Sequence, residues 1–253
     1  MNPIQKNLSG IGIDSLTSSD IESILAASLS RGGTLAELFF ENSDSTRVVF
    51  EGGKVDKIVD GNDSGVGLRV IFDNRSVYGY STDLSIEALT RLATTLAGAV
   101  SGTDGKSTLI RKDWRESKPA SPEIAGYRIS RSPRELPISE KIELCRRGER
   151  AAREELPEAK QVTTAVIDAL RRICVINSEG SVGTDSKTYL TYFCQVVGQK
   201  DSGSGIRTES AYEGDGGYMG LEFFDSTPPE SIARECARRV KILLDAEPAP
   251  AGT

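Results

Sequence analysis

Between residues 35 and 81 the apolar, β-branched runs are joined by connections too short to carry a crossover. Residues 35–40, 46–51, 54–59, 66–72 and 76–81 read as strands, divided by residues 41–45, 52–53, 60–65 and 73–75. A parallel neighbour needs a connection of about a dozen residues or more. These strands can therefore only run antiparallel to their neighbours. Gly52 and Gly53 tolerate the positive φ of a two-residue hairpin. Asp73 and Asn74 supply a second tight turn, since their side chains bond their own backbone. Gly65 and Gly67 also read as turn glycines.

Helices flank this block. Thr17 and Asp20 have the spacing of a capping box, with Ile21, Ile24, Leu25 and Leu29 on one face and Gly32-Gly33 as the stop. Ser85 is expected to cap a second helix with Leu89, Ala93, Leu96 and Val100 on its stripe. Residues 102–136 change character to Gly, Ser, Lys, Arg and Pro, with Trp114 as the one large anchor, expected to pack this segment onto a domain. A helix capped by Ser139 follows, its inward face carrying Ile142, Cys145 and Ala152 and its solvated face Glu143, Arg146, Arg147, Glu149, Arg150 and Arg153. Strands are predicted over 161–170, 173–177, 187–199 and 206–213. The last helix is predicted to start with Thr227 as cap, Pro228 at its first position and Glu230 closing the box. The predicted fold class is α+β, with two lobes, each an antiparallel sheet packed with helices. The predicted division is an N-terminal α+β domain over 1–101, a linker over 102–136, a central α+β domain over 137–245, and a proline-containing linker over 246–253.

Histidine is absent from all 253 residues. That excludes His-Glu-His zinc sites, Ser-His-Asp triads and Cys-His dyads built from this chain alone. Cys145, Cys174, Cys194 and Cys236 are scattered without a C-x-x-C pair, three of them in apolar-periodic stretches, and read as buried structural thiols. The net charge of −6 and the lack of a basic stripe argue against a nucleic-acid partner. No apolar run approaches the ~20 residues of a membrane span, and the opening Met-Asn-Pro-Ile-Gln-Lys lacks the basic and apolar regions of a signal peptide. A cytoplasmic protein with no membrane partner is expected.

Phosphate-binding loops fail on context. The glycines from Gly61 to Gly67 precede a strand instead of a helix, and Gly203-x-Gly205 and Gly214-Asp-Gly-Gly217 lack the Lys-Ser/Thr of a P-loop; all read as turns. Asp60, Asp63 and Asp73 do not fit a twelve-residue calcium loop. Asn177, Ser178, Glu179 and Gly180 end one strand and enter the next. They read as a hairpin turn, with a polar groove-lining loop as the functional alternative. No catalytic residue, metal ligand or cofactor is assigned to any position.

A longer pattern emerges from Gly33-Thr-Leu-Ala-Glu-Leu, Gly65-Val-Gly-Leu-Arg-Val70, Gly79-Tyr-Ser-Thr82, Ile176-Asn-Ser-Glu-Gly180, Gly220-Leu-Glu-Phe-Phe224 and Leu244-Asp-Ala-Glu-Pro-Ala-Pro-Ala-Gly252. In order and spacing it resembles the TldD/PmbA family, described as modulators of DNA gyrase and as peptide-maturation metalloproteases. The resemblance runs from about Thr17 onward. It implies a fold shared with the N-terminal and central portions of that family, and a peptide substrate. It also implies self-association or pairing with a paralogous family subunit. The zinc it implies is held by a His-Glu-x-x-x-His helix in a C-terminal metalloprotease domain, so no catalytic residue transfers to this sequence. Two readings follow: the non-catalytic front portion of a zinc metalloprotease that shapes the substrate channel and dimer surface, or a stand-alone binding or scaffold protein of the same family. A DNA-binding role, suggested by the gyrase label, conflicts with the acidic charge.

Overall fold

The computed structural model describes residues 3–100, 113–117, 129–203, 205–247 and 252. In chain order the elements are α1 (Pro3–Gly10), α2 (Ser18–Ser28), β1 (Leu35–Glu51), β2 (Lys54–Phe72), β3 (Arg75–Ser81), α3 (Ile86–Ala99) and β4 (Arg115–Glu116). A short 3-10 turn at Pro133–Glu135 leads to α4 (Ile138–Glu155), β5 (Ala159–Asn177), β6 (Ser181–Asp201), β7 (Ile206–Gly217), α5 (Phe223–Ser226) and α6 (Pro229–Asp245). The strands form one sheet ordered β3-β2-β1-β5-β6-β4, with β7 on β6. β3 lies antiparallel on β2 and β7 antiparallel on β6, while the two-residue β4 is parallel to β6. This is the expected α+β class, an antiparallel sheet packed with helices.

Packing divides the chain into two compact units. The first comprises Met1–Asp44, Asn62–Ala125 and Arg171–Lys187; the second comprises Ser45–Gly61, Gly126–Leu170 and Thr188–Thr253. The expected boundary over 102–136 is a single cut in sequence, and most of that segment lies outside the described residues. Packing instead gives the β1–β2 hairpin end to the second unit and the β5–β6 hairpin end to the first. The reason is strand length. β1 and β6 have 17 and 21 residues, and the residues at their two ends belong to different units.

That length also corrects the strand list. Residues 41–45 and 60–65 were expected to separate strands; they lie inside β1 and β2. Their polar side chains satisfy one another across the sheet: Asn62 Nδ2 donates to Asn42 Oδ1 at 2.5 Å and to Asp44 Oδ1 at 2.9 Å. Arg172 pairs with Asp44 from β5. Gly65 and Gly67 are strand residues as well, not turns. Gly67 is opposite Tyr80, and a Cβ there would stand 2.5 Å from the Tyr78 hydroxyl, so only glycine lets that ring lie across the strand. Gly214, Gly216 and Gly217 belong to β7, paired with Phe193, Thr191 and Leu190. The Gly52-Gly53 turn has the left-handed backbone expected, with φ of 60° and 78°, and the Asp73-Asn74 turn adopts it too, with φ of 43° and 61°.

The helix starts differ at two points. Thr17 and Asp20 do form the capping box, with Thr17 N donating to Asp20 Oδ2 at 2.8 Å and Asp20 N to Thr17 Oγ1 at 3.2 Å. Ser85 caps α3. Ser139, however, lies in the first turn of α4, whose cap is Pro137 without a side-chain bond. Likewise α6 is capped by Pro228, because Thr227 N already donates to the Phe223 carbonyl and closes α5. In the first unit the core gathers Leu38, Phe40, Leu68 and Val70 of the sheet with Ile21 and Leu89 of the helices. Trp114 packs against it and donates from Nε1 to Glu22 at 3.3 Å, as an anchor should. In the second unit Tyr192, Val196 and Val162 meet Cys145, Cys236 and Val240.

Candidate functional site

The Asn177–Gly180 turn is structural in its bonding. Asn177 Oδ1 accepts from the backbone of Glu179 and Ser181, both at 3.1 Å. Ser178 is buried and exchanges bonds with Ala36, its N donating to the carbonyl at 2.9 Å and its Oγ accepting from Ala36 N at 3.1 Å. Gly180 takes φ of 84°. The turn is thereby clipped to the start of β1 through Asn177 and Ser178, while the Glu179 side chain is exposed.

A groove of about 370 Å³ lies elsewhere on the first unit, along β1, β2 and β3. Strand alternation builds it. On β3, Val77 and Gly79 face the core side, where Leu92 would touch a Cβ at Gly79. Tyr78 and Tyr80 consequently face outward, 63% and 76% exposed. On β2 the same alternation presents Asp63, Gly65 and Gly67, and on β1 it presents Phe39 and Glu41. Glu41 is held by Arg171, Nε at 2.8 Å and Nη2 at 2.6 Å. Beside the groove Arg69 pairs with Glu37 at 2.8 Å. The Asp63 side chain makes no ion pair or hydrogen bond among the described residues. The groove thus offers two aromatic faces and one unmatched negative charge. Sequence reading treated Asp63 and the glycines as turn chemistry and passed over the tyrosines. The available signal was Tyr78-Gly-Tyr80 at period two in a strand whose other face is apolar.

The second unit buries charge instead. Lys141 on α4 and Asp168 on β5 are 2% and 0% exposed, with Nζ to Oδ2 at 2.5 Å. Arg134 bonds Asp168 Oδ1 at 3.2 Å and also Thr46 Oγ1; Thr46 in turn donates to Asp60 at 2.6 Å. The Thr46 hydroxyl and the neighbouring Arg134 hold the exposed Asp60 carboxyl below its ordinary pKa. Glu149, expected on the solvated face, is buried, accepting from Gly53 N at 3.2 Å and paired with Arg153 at 3.1 Å. Every member of this network is paired within the protein.

All four cysteines are free and buried. Burial pushes the Cys145 and Cys174 thiols up to about 12, away from nucleophilic or metal-binding character. Among the described residues no three His, Cys, Asp or Glu side chains converge as metal ligands.

Residues 36–99 match the PmbA/TldA metallopeptidase domain 1, and residues 131–244 match the PmbA/TldA metallopeptidase central domain. A metalloprotease TldD homolog of Haemophilus influenzae is 23% identical over 222 residues, which is 86% of this chain and 44% of that protein. Among solved structures, a protein described as a modulator of DNA gyrase from Bacteroides thetaiotaomicron superposes with a TM-score of 0.69 at 13% identity, covering 92% of this chain and 52% of the other. One from Thermotoga maritima gives 0.63 at 15% identity, covering 86% and 46%. TldE from Thermococcus kodakarensis gives 0.62 at 17% identity, covering 88% and 47%. At these identities the structural likeness is one of fold. The chain spans about half the length of the relatives it matches.

Proposed function

Because the chain belongs to the TldD/PmbA metallopeptidase family, we propose that it acts as the non-catalytic N-terminal and central portion of a zinc metalloprotease that processes or degrades peptides. The observation that carries this reading is the match to both family domains in their order, 36–99 then 131–244, on a chain with no histidine. Zinc and its activating glutamate are then supplied by residues outside this sequence, and this chain contributes walls of the substrate channel and part of a dimer surface. The partner is a second copy or a paralogous family subunit, and the setting is the cytoplasm. Support for a partner comes from the start of β2. Lys54 to Asp63 are exposed on both strand faces, including Val55, Ile58 and Val59 at 36–45%; a strand segment so bare invites pairing.

The test is reconstitution. The chain alone is expected to stay at background in peptidase assays with added zinc, and to scatter light as more than a monomer at micromolar concentration. Mixed with a zinc-bearing family subunit, it should give turnover that a chelator abolishes and that is lost when this chain is left out. Turnover from the partner unchanged by this chain, together with tight peptide binding by the chain alone, would favour the stand-alone binding or scaffold reading.

A further inference from the structure

We infer that the β1–β2–β3 groove of the first unit is a subsite for a cationic side chain, arginine or lysine, of an extended peptide. The inference rests on the peptide-handling reading above and names what this portion would recognise. Three observations converge on one occupant. The first is charge: Glu41 is matched by Arg171 and Glu37 by Arg69, whereas Asp63 is matched by nothing described. A neutral or acidic side chain would leave that carboxylate as it is, while a guanidinium or ammonium would pair with it.

The second observation is aromatic. Tyr78 and Tyr80 lie on one face of β3 and expose most of their area, and their hydroxyls make no hydrogen bond among the described residues. Rings with free faces attract cations through their quadrupole, arginine most often. Gly67 is the reason the platform is flat, since any side chain there would collide with the Tyr78 ring. Gly65 opens the end of the groove beside Ser81 and Thr82.

The third observation is the edge. β3 ends the strand order, and no described strand pairs with its outer side. An extended peptide can add to such an edge through its main chain, leaving alternate side chains to occupy pockets on one face. With a residue seated over Tyr80 and beside Asp63, main-chain bonds supply affinity and the cation supplies selectivity.

The test is binding to the full chain, read by fluorescence anisotropy at low salt. The probes are two labelled, capped peptides, Thr-Val-Arg-Val-Thr and Thr-Val-Gln-Val-Thr. Arginine should bind about tenfold more tightly than glutamine, the sum of a modest cation–π and a modest ion-pair contribution. Asp63→Asn and Tyr80→Leu should each remove most of that preference while leaving glutamine binding within about twofold. Both positions are exposed, and circular dichroism confirms that the variants fold. Equal binding of the two peptides, or a preference that survives both substitutions, overturns the proposal. Failure of zinc-dependent turnover in the reconstitution, with the arginine preference intact, would sink the protease reading and leave the subsite standing.

Discussion

The two units handle polarity in opposite ways. The first has an apolar core, in which the buried polar groups are neutral: Ser28 donates to Ile24 and Asn42 to Ile11, both at 2.8 Å. Two of its charge pairs meet on the open sheet face, Arg69–Glu37 and Arg171–Glu41, and a third, Arg172–Asp44, lies on the other face beside α1, all with side chains about a quarter to a half exposed. The second unit holds all the fully buried charges among the described residues, Lys141, Glu149 and Asp168. The difference teaches where specificity resides. A buried ion pair contributes little net stability but makes its surroundings intolerant of change. A half-exposed pair can be altered at small cost, which leaves the face that carries it free to vary with its ligand.

The largest expected effect tests that contrast directly. Asp168→Ala strands the Lys141 ammonium in the core and should cost about 3–5 kcal/mol by urea denaturation. The double replacement Lys141→Met with Asp168→Leu should recover most of it, because two apolar groups leave no unpaired charge. Glu41→Ala in the first unit should cost below ~1 kcal/mol. Comparable losses at Asp168 and Glu41 would break the comparison.

Next in size is Gly148. A Cβ there would stand 1.8 Å from the Tyr192 hydroxyl. That hydroxyl is buried without a partner, and the Thr164 hydroxyl donates instead to the Cys145 carbonyl at 3.0 Å. Gly148→Ala should destabilise by about 1–3 kcal/mol through overpacking. Tyr192→Phe should be neutral or stabilising, since it removes an unsatisfied polar group. Combined, the two should cost less than their sum. A strictly additive pair in thermal melts would show that the helix moves aside and that the second unit is looser than its packing indicates.

Much of this arrangement could be read in the sequence, and the misses share a cause. Apolar periodicity marked the inward faces of α2, α3 and α6, and short connections forced antiparallel pairing. The class of fold follows from those two features. Asn42, Asp44, Asn62 and Asp63 misled because turn-forming residues look alike whether they end a strand or bond across one. Only the partner strand decides, and its identity depends on contacts more than a hundred residues away, such as Arg172 with Asp44. Lys141 was invisible for the same reason. At helical spacing it precedes Cys145 by one turn, yet nothing local says that Asp168 will face it. In the groove, Gly65 and Gly67 were noticed but assigned to backbone turns; their role is to leave room for a ring.

On alkaline stability the two units should agree, which makes it a control on the contrast. Burial raises the Cys145 thiol in the second unit and the Cys174 thiol in the first to about 12. A folded value above the unfolded one means that the unfolded chain releases its proton first as pH rises. Stability from each thiol is therefore complete below about pH 9 and is lost progressively toward pH 12, by at most ~1.4 kcal/mol per pH unit. Cys145→Ala and Cys174→Ala should each flatten the decline measured between pH 8 and 10 by a similar amount, whatever their offset at pH 7. A flattening confined to Cys145 would mean that the first core admits water around Cys174, and the units would differ in more than their charges.

The smallest expected effect falls on Arg69 and Glu37, beside the proposed cation subsite. Their side chains are 46% and 23% exposed, and they meet at 2.8 Å. A pair this exposed gains little from Coulomb attraction in water, and ordering two long side chains offsets part of that gain. Glu37→Gln should therefore change stability by about 0.2–1 kcal/mol, and the difference should shrink further between 0.1 and 1 M salt as screening shortens the range of the charges. The same substitution frees the Arg69 guanidinium next to the groove. A cation bound beside Asp63 would then meet a nearby positive charge, so arginine-peptide binding should weaken by a few-fold at low salt while stability barely moves. A loss of several kcal/mol would place a structural ion pair in the first unit after all; unchanged stability together with unchanged peptide binding would show that the face is not electrostatically tuned for a ligand.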